Sequence, residues 1–136
     1  MAELLDQLLK EDLILVSLLQ ESSLTYTQLD TLLSERIGRE EGLSLSKRIM
    51  QRDKKGVKKG AYFRTLKQAQ QNIRRSAATL LLTQYLGLID PSSSMAILKA
   101  GEIIAELRGR PLEDRRLTEV AKIIRDLLDR VSVTQR

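Results

Sequence analysis

Apolar positions along this chain recur mostly at steps of three and four residues, the period of an α-helix that buries one side. The first such stripe starts at Leu4 and continues through Asp12 to Leu19. It predicts one helix that ends near Gln20 or Glu21. No segment of the chain predicts a strand. We therefore expect an all-α protein.

A second helix is predicted from about Tyr26 to Ile37. Thr25 and Gln28 have the spacing of a capping box at its start, and Gly38 is suited to end it. We expect the core-facing positions of this helix to be Leu29, Leu32, Leu33 and Ile37.

The rest of the pattern adds shorter and longer helical segments. Residues 43–52 form a short segment whose helical character the pattern leaves open, with Leu45, Ile49 and Met50 able to face the core. After a glycine- and lysine-rich turn, a long helix is predicted from about Lys59 to Tyr85 or Leu86. Two more helices follow, separated by Gly109 and Pro111. The expected total is five to six helices, with one long central helix.

The last predicted helix has an apolar spacing that resembles two heptads. The positions are Leu117, Val120, Ile124, Leu127 and Val131. Such a stripe either packs within the chain or joins two chains. We expect it to form a homodimer.

The amino-acid composition excludes several classes of function. The 136 residues include no cysteine and no histidine. Disulfides, thiolate zinc sites and thiol nucleophiles are therefore excluded, and the most common general base is missing. No phosphate-loop or nucleophile motif is present. We expect no enzyme, no catalytic residue, no metal and no cofactor.

The chain also shows no sign of a membrane or secretory segment. Its amino terminus has no basic leader, and no apolar run approaches the roughly 20 residues that span a bilayer. We expect a cytoplasmic protein.

Positive charge is concentrated in the middle of the chain. Residues 47–75 contain eleven lysines and arginines and a single acid, Asp53, which gives this segment a charge of +10. The remaining residues balance to −5, because the whole chain carries +5. Such a footprint suits a polyanionic partner.

Within this basic segment, residues 56–66 read GVKKGAYFRTL. This sequence resembles the turn and recognition helix of tetracycline-repressor-like and related helix-turn-helix regulators. The matching positions are Gly56, Val57, Lys59, Gly60 and Arg64. Phe63 stands where those proteins often have tyrosine. The glycine would allow the turn between two helices, and Val57 would be buried beneath it.

Two further stretches resemble winged-helix regulators, namely residues 13–33 and the sequence YLGLID at residues 85–90. Residues 52 and 55 depart from that family, since Arg52 and Lys55 replace small or apolar residues. Residues 91–107 depart as well, because they read as a helix where the family has a β-hairpin wing. The resemblance implies a helix-turn-helix core over residues 1–90, with helices of residues 91–136 packed on it in one compact domain.

The resemblance implies a transcription regulator that binds double-stranded DNA and is associated with the nucleoid. Residues of about 58–72 would form a recognition helix in the major groove, with Arg64 reading guanine. The residues expected to contact DNA are Lys54, Lys55, Lys58, Lys59, Tyr62, Arg64, Thr65, Lys67 and Gln68. Of the rings of Tyr62 and Phe63, we expect one to be buried and the other exposed. No small-molecule ligand is indicated.

A different class of function uses the same basic surface. A helical adaptor would bind an acidic protein or an RNA through it, and would recruit partners through its amphipathic end helices. Duplex DNA binding that weakens steeply with salt separates the regulator from this alternative.

Overall fold

The computed structural model describes residues 4–52 and 57–132, and over these residues the chain forms seven helices and no strand. The all-α prediction is confirmed, while the helix count exceeds the expected five to six. The helices are α1 (Leu4–Glu11), α2 (Leu13–Glu21), α3 (Tyr26–Glu40), α4 (Leu45–Arg52), α5 (Lys59–Tyr85), α6 (Pro91–Leu107) and α7 (Asp114–Ser132).

The prediction of one continuous helix over the first twenty-one residues is wrong, because Asp12 interrupts it. Asp12 has an extended backbone, with φ −123° and ψ 94°, and its carboxylate accepts a hydrogen bond from the Leu15 N–H group at 3.0 Å. This is the geometry of an N-cap, so Asp12 begins α2 instead of continuing α1.

Helix α3 starts as predicted and ends later. Thr25 and Gln28 form the expected capping box, with each side chain accepting a hydrogen bond from the other residue's backbone N–H group at 3.1 Å. Gly38 was expected to end the helix, but it lies inside α3 and is buried. The glycine that ends α3 is Gly42, which has φ 70°. The Leu43 N–H group donates to the Gly38 carbonyl oxygen at 2.7 Å, as in a Schellman motif.

Helix α5 has the predicted bounds, Lys59–Tyr85, and a length of about 40 Å at 1.5 Å per residue. Gly87 follows it with φ 73°, a conformation that glycine adopts without steric cost. The Gly87 N–H group donates to the Gln84 carbonyl oxygen, and the Leu88 N–H group donates to the Thr83 carbonyl oxygen at 2.8 Å. These two bonds form a Schellman motif, which ends α5 sharply.

The contacts divide the chain into two compact units, and the boundary falls within α5, between Ser76 and Ala77. In the first unit α1, α2, α4 and the first part of α5 supply the apolar core. Its buried apolar side chains are Leu5, Ile14, Ile49, Tyr62, Leu66 and Ala69. The short segment is thus a helix with Ile49 inside, whereas Met50 is 52% exposed and does not face the core as expected.

Helix α3 buries a side different from the one that the sequence indicates. The expected core positions Leu29, Leu32, Leu33 and Ile37 are half-buried. The buried positions on the other side of the helix are Asp30, Thr31, Ser34, Glu35 and Gly38. Small residues allow neighbouring helices to approach closely, and α4 packs extensively against α3. Both sides of α3 are therefore covered to some extent.

The second unit contains the end of α5 together with α6 and α7, which pack against each other. The heptad-like stripe of α7 is half-buried or buried, and Ala121 and Ile124 form its most enclosed part. Helix α6 confirms the prediction that residues 91–107 are helical. None of the described helices combines the length and the apolar content that a bilayer span requires.

Candidate nucleic-acid interface

The sequence of helix α5 contains several cations and no acid. Residues 54–89 contain neither aspartate nor glutamate, and α5 itself contains three arginines and two lysines. Helix α7 is a useful contrast, since its sequence holds five basic residues together with four acids. The charge of α5 is thus a property of that helix and does not follow from the basic composition of the chain alone.

The charged positions of α5 lie on the side away from the core. Tyr62, Leu66 and Ala69 are buried and mark the inner side of the helix. At 100° per residue the opposite side carries a row of exposed side chains. We call this row the basic face and define it as Arg64, Lys67, Gln68, Gln71 and Arg75. Its members are cations and amides only. Lys59 is exposed at the start of the helix, but it lies one turn before Tyr62 on the inner side.

A shallow groove of about 570 Å³ lies along this face, where α5 passes the first turn of α3. Gln28 of α3 lines one wall, and the other lining residues come from α5. They are Arg64, Lys67, Gln68, Gln71, Asn72 and Arg75. Amides and guanidinium groups donate hydrogen bonds to phosphates and to base edges, so the groove is suited to a polyanion.

Most of the predicted contact residues lie on the surface. Lys58, Lys59, Arg64, Lys67 and Gln68 are exposed. The predicted contacts Lys54 and Lys55, and the turn glycine Gly56, lie outside the described residues. Val57, expected beneath the turn, is half-buried.

Thr65 and Tyr62 are less available to a partner. Thr65 is half-buried, and its hydroxyl donates to the Ala61 carbonyl oxygen at 3.1 Å within the same helix. Tyr62 is 0% exposed, so its predicted role as a DNA contact is wrong for this conformation. Phe63 is 37% exposed, which confirms that one ring of this pair is inside and the other outside.

The buried hydroxyl of Tyr62 belongs to a network centred on Glu35 of α3. It donates to Glu35 Oε1 at 3.2 Å, and Arg48 Nε of α4 donates to the same oxygen at 2.9 Å. Arg39, one turn along α3, donates to the other carboxylate oxygen. A single carboxylate therefore connects α3, α4 and α5, and it holds the basic helix against the rest of the first unit.

Arg48 is the more deeply buried arginine of this network. Arg48 also donates to the Leu43 carbonyl oxygen at 2.8 Å, and its aliphatic stem packs on Gly38. A Cβ atom at Gly38 would lie 2.8 Å from Arg48 Cδ and closer still to Cγ. Gly38 is thus the position that lets α4 approach α3.

The network shifts the ionisation of both of its acidic members. Burial raises the pKa of the Glu35 carboxyl group, but hydrogen bonds from two arginines and Tyr62 outweigh burial and bring this pKa below its usual value. Burial, together with the charge of Glu35, raises the pKa of Tyr62 to about 12. At neutral pH the network therefore contains a carboxylate and a neutral phenol.

A second set of hydrogen bonds connects the middle of α5 to the start of α3. The Asn72 amide group donates to the Ser23 carbonyl oxygen at 2.7 Å and to Gln28 Oε1 at 3.1 Å. The Ser23 hydroxyl donates in return to Asn72 Oδ1 at 2.6 Å. The capping box of α3 is thus tied to α5, and this tie positions the wall of the groove.

Sequence reasoning missed Gln71, Arg75 and Gln28 as members of the groove. A signal for the first two was present, since Arg64, Gln68, Gln71 and Arg75 follow the helical steps of four, three and four residues. Gln28 belongs to a helix 36 or more positions earlier in the chain, and no local pattern brings it to α5. Glu35 gave no signal either, because an isolated glutamate in a helix is usually exposed.

Comparison of the chain with protein-family models, with curated proteins and with solved structures finds no match.

Proposed function

We propose that this protein binds duplex DNA by laying the basic face of α5 in the major groove, and that it acts as a transcription regulator. One observation carries the proposal: an exposed helical face of about 17 Å, from Arg64 to Arg75, bears cations and amides and no acid. Neutralising DNA phosphates releases counterions, and such a face supplies the cations that this requires.

The shape and side chains of α5 suit the major groove. That groove is about 12 Å wide and admits one α-helix. Arginine pairs with the O6 and N7 atoms of guanine, and glutamine pairs with the N6 and N7 atoms of adenine. Arg64, Gln68 and Gln71 present these groups on one side of α5, with lysines beside them for the phosphates.

The architecture proposed for this function is a helix-turn-helix in which α4 is the first member and α5 the recognition helix. The Glu35 network supports it, because it connects both helices to α3. Gly60 adds to it, since nothing lies within 4 Å of its Cβ position and a phosphate has room to approach the first turn of α5. Residues 91–107, where winged-helix regulators have a β-hairpin wing, form helix α6. In a bacterial cell, binding of this kind would associate the protein with the nucleoid.

The test is the affinity for duplex DNA over a series of salt concentrations. With Arg64 on a base, five exposed cations remain for phosphates: Lys58, Lys59, Lys67, Arg74 and Arg75. Five neutralised phosphates predict a slope of roughly −4.5 for log K against log salt. Arg75→Ala removes one cation of the basic face and is expected to reduce the slope by about 1. Arg116→Ala removes an exposed cation of α7 and serves as the matched control, with an unchanged slope expected.

A second variant tests the division between phosphate and base contacts. Arg64→Ala is expected to cost about 1–3 kcal/mol on the preferred duplex and to relax sequence preference, whereas Lys59→Ala should weaken all duplexes alike. Salt-insensitive binding, or equal effects of Arg75→Ala and Arg116→Ala, would contradict the proposal. Tighter binding to RNA or to an acidic protein than to duplex DNA would replace it with the adaptor function.

A further inference from the structure

The second unit has an exposed surface that is apolar and almost without charge. Residues 76–98 contain a single charged side chain, Asp90. Seven large apolar residues in this stretch are exposed, at the end of α5, in its connection to α6 and in the first turns of α6. We call them the apolar patch: Leu81, Leu82, Tyr85, Leu86, Leu88, Met95 and Leu98.

Packing within the unit does not account for this patch. Helices α6 and α7 pack against each other, and the apolar stripe of α7 is half-buried or buried. Tyr85 is 88% exposed, although it lies in a well-formed helix turn that the Schellman motif closes. The apolar side chains are thus held in place on the surface.

The exposed apolar area in this stretch is large for a monomer. Each of the seven side chains leaves about half or more of its surface in water, and together they expose several hundred Å². A standard protein interface buries about 800 Å² on each partner. The summed exposed area of the apolar patch is therefore of the order that one side of an interface needs.

The near absence of charge in this stretch favours a second copy of the chain as the partner. In a two-fold dimer each surface meets a copy of itself, so a surface with net charge would place like charges opposite each other. The apolar patch avoids this, since Asp90 is the only charge in its stretch. It also lacks the lysines and arginines with which an amphipathic helix holds anionic lipid.

We propose that the apolar patch is a homodimer interface, with a second copy of this chain as its occupant. This surface differs from the dimer contact expected through α7, whose stripe is half-buried or buried. Tyr85 is the anchor of the interface, because large aromatic side chains near the centre of an interface supply much of its binding energy. The proposal does not depend on DNA binding.

The experiment measures the mass of the full chain in solution by analytical ultracentrifugation. The wild-type protein is expected to be a dimer at micromolar concentration. The double variant Leu82→Glu with Tyr85→Glu is expected to be a monomer with unchanged helical content, since both positions are exposed and helical. Met50→Glu places the same charge on an exposed apolar position of α4 and is the matched control, which should remain a dimer.

Crosslinking provides a second measurement that does not rely on a disruptive variant. The chain has no cysteine, so Tyr85→Cys and Met50→Cys each introduce one thiol. Under mild oxidation, Tyr85→Cys should yield a covalent dimer in high yield and Met50→Cys should not. A monomeric wild-type protein at 100-fold higher concentration, or a dimer that survives the double variant, would overturn the proposal. So would equal crosslinking at both positions, or a monomer that binds neutral phosphatidylcholine vesicles through Tyr85.

Discussion

Glu35 is the residue on which the position of the basic helix depends most. Its side chain is 11% exposed and that of its partner Arg48 is 13% exposed, so their ion pair is largely removed from water. A buried pair is not itself strong evidence of stability, but the loss of one partner leaves the other charge uncompensated. Removal of the Glu35 side chain therefore costs stability mainly because Arg48 and Tyr62 lose the carboxylate to which they donate hydrogen bonds.

We expect Glu35→Ala to lower the free energy of unfolding by roughly 3 kcal/mol, because it leaves the Arg48 guanidinium buried without its carboxylate. Urea unfolding followed by circular dichroism measures the change. Glu40→Ala is the control, since Glu40 forms an exposed pair with Arg36 that water screens, and a change close to zero is expected. Equal destabilisation by the two variants would show that the network does not hold the helices.

Tyr62 predicts how stability responds to alkaline pH. Its pKa is about 12 in the folded protein and about 10 in an unfolded chain, so the unfolded state loses its proton first. The stabilisation by the neutral phenol is fully present below pH 10 and is lost as the pH rises towards 12. We expect the free energy of unfolding to fall more steeply over this range in the wild-type protein than in Tyr62→Phe. Parallel curves for the two proteins would contradict the burial of this phenol.

At the scale of single residues, the sequence predicted the surface better than the interior. Charge density and the motif around Arg64 identified exposed positions of α5, because exposed cations are placed by the helix period alone. Tyr62 was predicted to contact DNA because a tyrosine at this position suits a binding surface as well as it suits a core. Its partner Glu35 lies 27 positions earlier, and no pattern in the sequence pairs the two.

At the scale of elements, the packing of α4 on α3 brings Arg48 to the carboxylate that also accepts a hydrogen bond from Tyr62 of α5. Gly38 allows this packing by leaving room for the stem of Arg48, whose guanidinium group is fixed by two hydrogen bonds. The sequence predicted α5 to within a residue because its apolar period is long and unbroken. It missed the break at Asp12, since a polar residue within an apolar stripe fits a continuous helix equally well.

Gly38→Ala tests the close approach of these two helices. A methyl group would clash with a side chain that cannot move away, which costs about 1–3 kcal/mol, whereas alanine gains up to about 1 kcal/mol in helix propensity. We expect a net loss of stability and faster hydrogen exchange in α3 and α4.

The matched control for Gly38→Ala is Gly101→Ala in α6, where nothing lies within 4 Å of the added methyl group. This substitution is expected to raise stability by about 0.5–1 kcal/mol, because only the propensity term remains. A stabilising effect of Gly38→Ala would mean that α4 does not pack on α3 as described.

At the scale of the whole molecule, charge and apolar surface are separated along the chain. The first unit exposes the basic face, and the second unit exposes the apolar patch. Sequence composition indicated the first of these, since charge can be counted. The sequence also indicated a dimer contact on α7, while the apolar patch gave no periodic signal, because exposure of an apolar side chain depends on which neighbour covers it.

We expect the basic face of α5 to contact DNA directly. The most direct measurement is a titration of ¹⁵N-labelled protein with duplex DNA, followed residue by residue by nuclear magnetic resonance. We predict the largest amide shifts between Lys59 and Arg75, and small ones in α7 despite its five basic residues. Shifts concentrated in α7 or around the apolar patch, with α5 unchanged, would contradict the account.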